Sequence, residues 1–256
     1  MSSSSSIDKA TEGQVLRVHT TGDGNEFVIL GNKKYYKHEL MQAFGGTFNP
    51  DRYATYPVHQ FGNASALGLC AFSLTTFVLG LFYSGAMGIK VPNVVISLAF
   101  FYGGAVIMVA GIFEMIIGNT FAGTAFTSYG PFWLSFGTIY VKSFGISDAY
   151  ADAPEQLSNG IGFFLIGWII FTFLLLLCTL KSTVMFVLLF VVLEITFILL
   201  AAANFTGSAL VTKAGGIFAV ITALVAWYNA FAGVATKHNS YLRARTILLP
   251  IIGSSE

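Results

Sequence analysis

Charge is what this sequence has least of. Its 256 residues include 13 Lys+Arg and 12 Asp+Glu, 10% of the chain, against roughly 25% in an ordinary soluble domain. The shortage is uneven: twelve charges fall in residues 1–60, and nine are spread from 61 to 236. With 55% hydrophobic residues and a mean hydropathy of +0.74, the middle of the chain is an integral membrane region. A soluble enzyme, a disordered chain and a disulfide scaffold are excluded. Histidine is missing between His59 and His238. Imidazole ligation of a metal or haem, and a histidine proton relay, therefore cannot be built at membrane depth. No H-E-x-x-H, G-x-S-x-G, phosphate loop or dinucleotide fingerprint occurs, so hydrolysis, direct ATP coupling and a bound cofactor have no support. The two cysteines, Cys70 and Cys178, lie in apolar runs and read as small hydrophobes rather than a bridge. A net charge of +1 gives nucleic acid no basic patch. The first fifteen residues carry no apolar h-region, so no cleaved signal peptide is expected. Passage of a solute through a helix bundle, or recognition at its surface, remains.

Residues 1–14 are serine-rich and expected to be disordered. Weak alternation over 15–36 around Gly22-Asp23-Gly24-Asn25 predicts a hairpin. Lys37 to Phe44 predicts one or two helical turns, ended by Gly45-Gly46. Six spans are expected at about 65–88, 92–117, 120–143, 159–180, 182–204 and 214–236, each long enough for a ~30 Å hydrocarbon layer. The organisation is thus a tail (1–60), a six-helix membrane domain (61–237) and a second tail (238–256). An even number of spans puts both tails on one side. The flanks on that side hold Arg52, Lys181, Lys237, Arg243 and Arg245, against Lys90, Lys142 and Lys213 on the other, which favours cytoplasmic tails. Gly215, Ala219 and Ala223, and Ser84 with Gly88, form small-residue ridges suited to close helix packing. Gly103-Gly104 and Gly111 punctuate the second span.

Glu194, near the middle of the fifth span, is the costliest residue. Two readings stay open: a neutral acid bonded to a neighbouring helix or subunit, or a group lining a pore. Glu114 ends the second span, where a bond to the Asn119-Thr120 turn competes with a role in proton coupling. Phe72, Thr75, Thr76 and Leu79 share a helical face, and Thr127, Ser128 and Tyr129 make a second polar stripe. The hydroxyls either bond their own helix or line a narrow polar path with aromatic narrowings.

The residues also carry a family resemblance. Gly62-Asn63-Ala64-Ser65-Ala66-Leu67-Gly68-Leu69 resembles the N-P-A-P-L-G-L signature of the acetate uptake transporter family, which includes bacterial succinate–acetate permeases and fungal acetate transporters, some linked to ammonia export. Phe101-Tyr102-Gly103-Gly104, Gly118-Asn119-Thr120-Phe121, Thr127-Ser128-Tyr129-Gly130, Thr179-Leu180-Lys181-Ser182 and Trp227-Tyr228-Asn229-Ala230 are similar too. The resemblance spans about residues 20–245. It implies six helices per subunit, a hexameric ring in the plasma membrane, and a pore in each subunit narrowed by Phe72, Tyr129 and Leu193. Asn63, Thr75, Thr76, Thr127, Ser128 and Glu194 would line the solute path. The implied solute is acetate or another short acid, with a proton travelling alongside. Two departures stand out. Ala64 and Ala66 replace the signature prolines, and Glu194 sits where family members carry a small or hydroxyl residue. The first leaves open a non-transporting sensor or scaffold, the second an ammonia or ammonium pore.

Overall fold

A computed structural model describes residues 19–22, 24, 26–30, 32–43, 61–245 and 247–250. The serine-rich stretch 1–14 and the Gly45-Gly46 helix stop lie outside the described residues. The chain divides into two units, Met1–His59 and Gln60–Glu256.

The first unit contains a three-stranded antiparallel sheet in the order β1 (His19–Thr21), β2 (Phe27–Leu30), β3 (Lys33–Tyr36), followed by α1 (Lys37–Ala43). The expected hairpin is β1–β2, with Thr21 opposite Phe27. The third strand was not foreseen, because Lys33-Lys34-Tyr35-Tyr36 does not alternate. Its signal is the intervening Gly31-Asn32 pair, since the Leu30–Lys33 register leaves a two-residue connection. The Gly24 amide donates to the Glu26 carboxylate at 2.9 Å. That bond, with Glu26's own amide, holds this carboxyl below its usual range.

The second unit is helical: α2 (Ala64–Tyr83), α3 (Val94–Phe100), a π-helical segment Phe101–Val106, α4 (Ile107–Ile116), α5 (Thr120–Tyr140), α6 (Pro154–Thr179), α7 (Val184–Thr206) and α8 (Ala209–Val234). The stretch from Val94 to Ile116 runs as one 23-residue span. Among the described residues, five helices are long and apolar enough to cross a membrane: α2, the Val94–Ile116 helix, α6, α7 and α8. Helix α5 has the length, at 21 residues, but its threonines, serines, glycines and tyrosines keep it out of that set.

Boundaries differ from expectation where caps intervene. Helix α2 stops at Tyr83 rather than 88, because Gly85 turns left-handed (φ 77°) and Gly88 follows at φ 68°. Gly88 is therefore off the helix, and the Ser84–Gly88 ridge does not form. Ser84 caps the helix and bonds back to Leu81. Helix α6 begins earlier than expected, at Pro154, where a missing N–H costs nothing.

Neighbouring helices touch in the order α6, α7, α8, α2, α4, α5, and α5 reaches α6 through large side chains. Two crossings depend on glycine. A Cβ on Gly216 of α8 would collide with the backbone of Tyr83 and Ser84 on α2. One on Gly130 of α5 would lie 2.7 Å from the Met108 amide. Inside the ring, Phe132 packs on Trp133, Phe164, Trp168 and Phe197 at centroid distances of 5.0–5.6 Å. Part of the expected C-terminal tail is tied to this unit. Val184 donates to Ile247 O (2.9 Å), Leu249 to Ser182 O (3.1 Å), and the Tyr228 hydroxyl to Arg245 O (3.0 Å).

Candidate functional site

The α2 start sets the frame. The Asn63 side chain accepts from Ala66 N (3.3 Å) and donates to Gly233 O at the end of α8 (3.1 Å). One residue thus caps α2 and ties it to α8 without the signature prolines. From there Phe72, Thr76, Leu79 and Tyr83 recur at i, i+4, i+7 and i+11 and face inward as one stripe.

Two cavities lie within the helix ring. The N-side cavity, at the end where α2 starts, is apolar: Leu69, Phe121, Phe126, Phe186 and Phe190 line it, with Ser65. The C-side cavity, toward the end of α2, carries Thr76, Tyr83, Trp133, Thr196 and Asn204 among aromatics. The residues lining both are Phe72, Tyr129 and Leu193. All three are buried, at 6%, 4% and 4% exposure. The Phe72 and Tyr129 rings are 6.3 Å apart. Trp168 and Phe171 hold the far side of Tyr129 at 5.9 and 5.5 Å. Its hydroxyl lies 2.8 Å from Thr172 Oγ1.

The other residues marked in the sequence are scattered. Of the hydroxyls placed on the path, Thr76 lines the C-side cavity. Thr75, its neighbour, turns about 100° away, donates to Ala71 O (2.9 Å) and packs where Gly103 lacks a side chain. Thr127 donates to Gly123 O (2.6 Å) and abuts Gly111, and Ser128 lines neither cavity. The Glu114 carboxylate accepts from Asn119 Nδ2 at 2.6 Å, while Asn119 Oδ1 caps α5. Glu194 is 9% exposed and lines neither cavity. It lies three residues from the exposed Val191 and four from the exposed Ile198, and next in sequence to Leu193.

Sequence reasoning did not place Trp133, Thr172, Thr196 or Asn204 on the solute path, although Phe132-Trp133-Leu134 belongs to the family resemblance. For Thr172, Thr196 and Asn204 the signal was available, since each is a polar group in an apolar span. Thr196 pairs with Thr222 of α8 at 3.0 Å, and Asn204 donates to Leu200 O. Three buried polar atoms have no partner among the described residues: Thr76 Oγ1, Trp133 Nε1 and Glu194 Oε2. Leaving such a group unpaired costs about 1–3 kcal/mol. Two of the three belong to side chains that line the C-side cavity, Thr76 and Trp133. Among the described residues no group of three metal-ligating side chains occurs.

Comparison with known proteins fits this arrangement. The profile of the GPR1/FUN34/yaaH family matches residues 44–251. "Accumulation of dyads protein 2" of Saccharomyces cerevisiae is 55% identical over 243 residues, 95% of this chain and 86% of that protein. "Ammonia transport outward protein 2" of the same yeast is 51% identical over 240 residues, 94% of this chain and 85% of that protein. The solved structure of the bacterial acetate channel SatP superposes with a TM-score of 0.64 at 33% identity, covering 75% of this chain and 99% of that one. A bundle of apolar helices around a cavity-bearing interior, matched by this profile over most of its length, makes the chain a member of the GPR1/FUN34/yaaH family, a family of membrane transporters and channels rather than enzymes.

Proposed function

We propose that the protein is a membrane channel or transporter for short monocarboxylates such as acetate, with the path running through each subunit from the N-side to the C-side cavity. The observation that carries this reading is the set Phe72, Tyr129 and Leu193, which lines both cavities and is the narrowing between them. A ring of phenyl, phenol and isobutyl groups offers little hydration, so a solute crosses only by shedding water or by moving a side chain. An uncharged acid loses less than an anion. Acetic acid titrates near other carboxyls, at about 4–5, so the proton travels with the acid and uptake rises as the pH falls. The C-side cavity supports the same solute class. Trp133 Nε1 is a donor only and needs an acceptor, which a carboxyl group supplies and an ammonium ion does not.

A second reading, export of ammonia or ammonium, has two supports: Glu194 near the narrowing, and the name of the 51% identical yeast relative. Neutral ammonia has one lone pair and can accept from Trp133; an ionised Glu194 would favour the cation. A sensor or scaffold without transport fits less well with cavities on both sides of the three residues.

All six long helices cross the membrane in this proposal, α5 included, because its polar side chains face the bundle. Both tails then lie in the cytoplasm, with the chain in the plasma membrane. Exposed Phe101, Phe163 and Ile170 face lipid or sister subunits of a hexamer, which native mass measurement in mild detergent would weigh directly. The deciding experiment is flux of labelled acetate and of ammonium into proteoliposomes over a range of pH, in one preparation. Acid-stimulated acetate flux is expected. No acetate flux above empty liposomes at any pH would remove the acid-transport reading, and ammonium flux alone would replace it with the second.

A further inference from the structure

The C-side cavity meets a third one. The third lies among α2, α3 and α5, beyond Tyr83, and is lined by Pro92, Asn93, Val95 and Tyr140. Leu79, Tyr83 and Phe136 line both. The repetition is regular. Leu79 follows Phe72 by seven residues on α2, and Phe136 follows Tyr129 by seven on α5. At 1.5 Å per residue the two sets are about 10 Å apart along the helices. Leu79 and Phe136 are as buried as the first set, at 7% and 6% exposure. Phe136 stacks on Phe132 at 5.8 Å and meets Tyr140 edge-on at 5.2 Å.

We propose that Leu79, Tyr83 and Phe136 form a second gate in series with Phe72, Tyr129 and Leu193, so that the cavity holding Thr76 and Trp133 is a closed chamber that admits one small solute at a time.

Resting on the transport reading, this assigns specificity to residues outside the narrowing. Tyr83 and Tyr140 both line the third cavity, at the rim of this gate. Thr76 and Trp133, whose Oγ1 and Nε1 are buried without a partner among the described residues, line the chamber, and a solute that draws these groups onto itself stays until one gate opens. With two narrow points in series, each sets part of the resistance, so widening one raises flux only in part and leaves the other in place. That is the property a single-gate pore lacks.

The test reads access to the chamber and needs no flux. In a background of Cys70→Ala and Cys178→Ala, Thr76→Cys is the reporter. A small membrane-impermeant thiol reagent is applied to each face of the membrane in turn. From the face where α2 ends, labelling should be slow with the second gate intact and rise roughly tenfold or more with Phe136→Ala. Leu193→Ala should raise labelling from the opposite face alone. If Phe136→Ala does not fold, Phe136→Leu should give an intermediate increase from the α2-end face. Equal labelling from that face with and without the second-gate substitutions overturns the proposal. Wild-type acetate flux is measured on the same protein. Its absence would strike the transport reading while leaving the labelling result to decide the gate.

Discussion

The Tyr129 hydroxyl sits 2.8 Å from Thr172 Oγ1, joining α5 to α6 in the buried centre of the bundle. The two residues are 43 apart in sequence, and among the described residues the aromatic walls leave the buried phenol no other hydrogen-bond partner. The bond fixes the phenol edge-on to Phe171 and holds its ring beside Phe72.

Thr172→Val should therefore do more than Tyr129→Phe. The valine leaves a buried phenol unpaired, at about 1–3 kcal/mol. The phenylalanine leaves a threonine hydroxyl that can bond its own helix. Thermal unfolding in detergent should rank the two in that order, and acetate flux should change in Thr172→Val although that residue lines neither cavity.

Size selectivity tests the narrowing. Leu193→Ala and Phe72→Ala each remove side-chain bulk where the two cavities meet. Acetate flux should rise modestly, and acids one or two carbons larger should gain more. Uptake competition between acetate and propionate reads the change. Unaltered competition in both variants would place the narrowing elsewhere.

Trp133→Phe separates binding from folding. Removing an indole N–H that has no partner should leave stability unchanged within about 1 kcal/mol. The concentration of acetate needed for half-maximal flux should rise severalfold. A large loss of stability with unchanged solute dependence would make the indole a packing group only.

Gly216→Ala tests the α2–α8 crossing. Its Cβ would meet the backbone of Tyr83 and Ser84, which cannot move away as a side chain tip can. A loss of about 1–3 kcal/mol is expected from overpacking, read as a lowered unfolding temperature. Gly167→Ala, on open surface of α6, is the matched control and should be neutral or slightly stabilising.

Asn63→Ala removes both the α2 cap and the bond to Gly233 O. About 1 kcal/mol of destabilisation is expected. Asn63→Asp, which keeps the cap acceptor and loses the donor, should fall between.

Hydropathy pointed to the long apolar helices, five of which among the described residues are long and apolar enough to cross a membrane, because burying backbone in hydrocarbon demands such helices wherever they point. The asparagine caps of α2 and α5 came from the structure, where Asn63 and Asn119 supply the oxygen those first turns lack. Motif resemblance marked Phe72, Tyr129 and Leu193, and folding brings these three together from α2, α5 and α7. Which way each helix is rotated was a different matter. In a soluble protein the polar face shows the outside; here lipid and bundle interior are both apolar, so the pattern carries little rotational information. Thr75 and Thr76 are neighbours with equal claims, and only the contact with Gly103 turned one to the packing interface and the other to the cavity. Thr172 and Thr196 gained their places from hydroxyl partners on facing helices, Tyr129 and Thr222, and Trp133 from the phenyl rings of Phe132 and Phe136 packed against it, contacts that no pattern along a single helix shows.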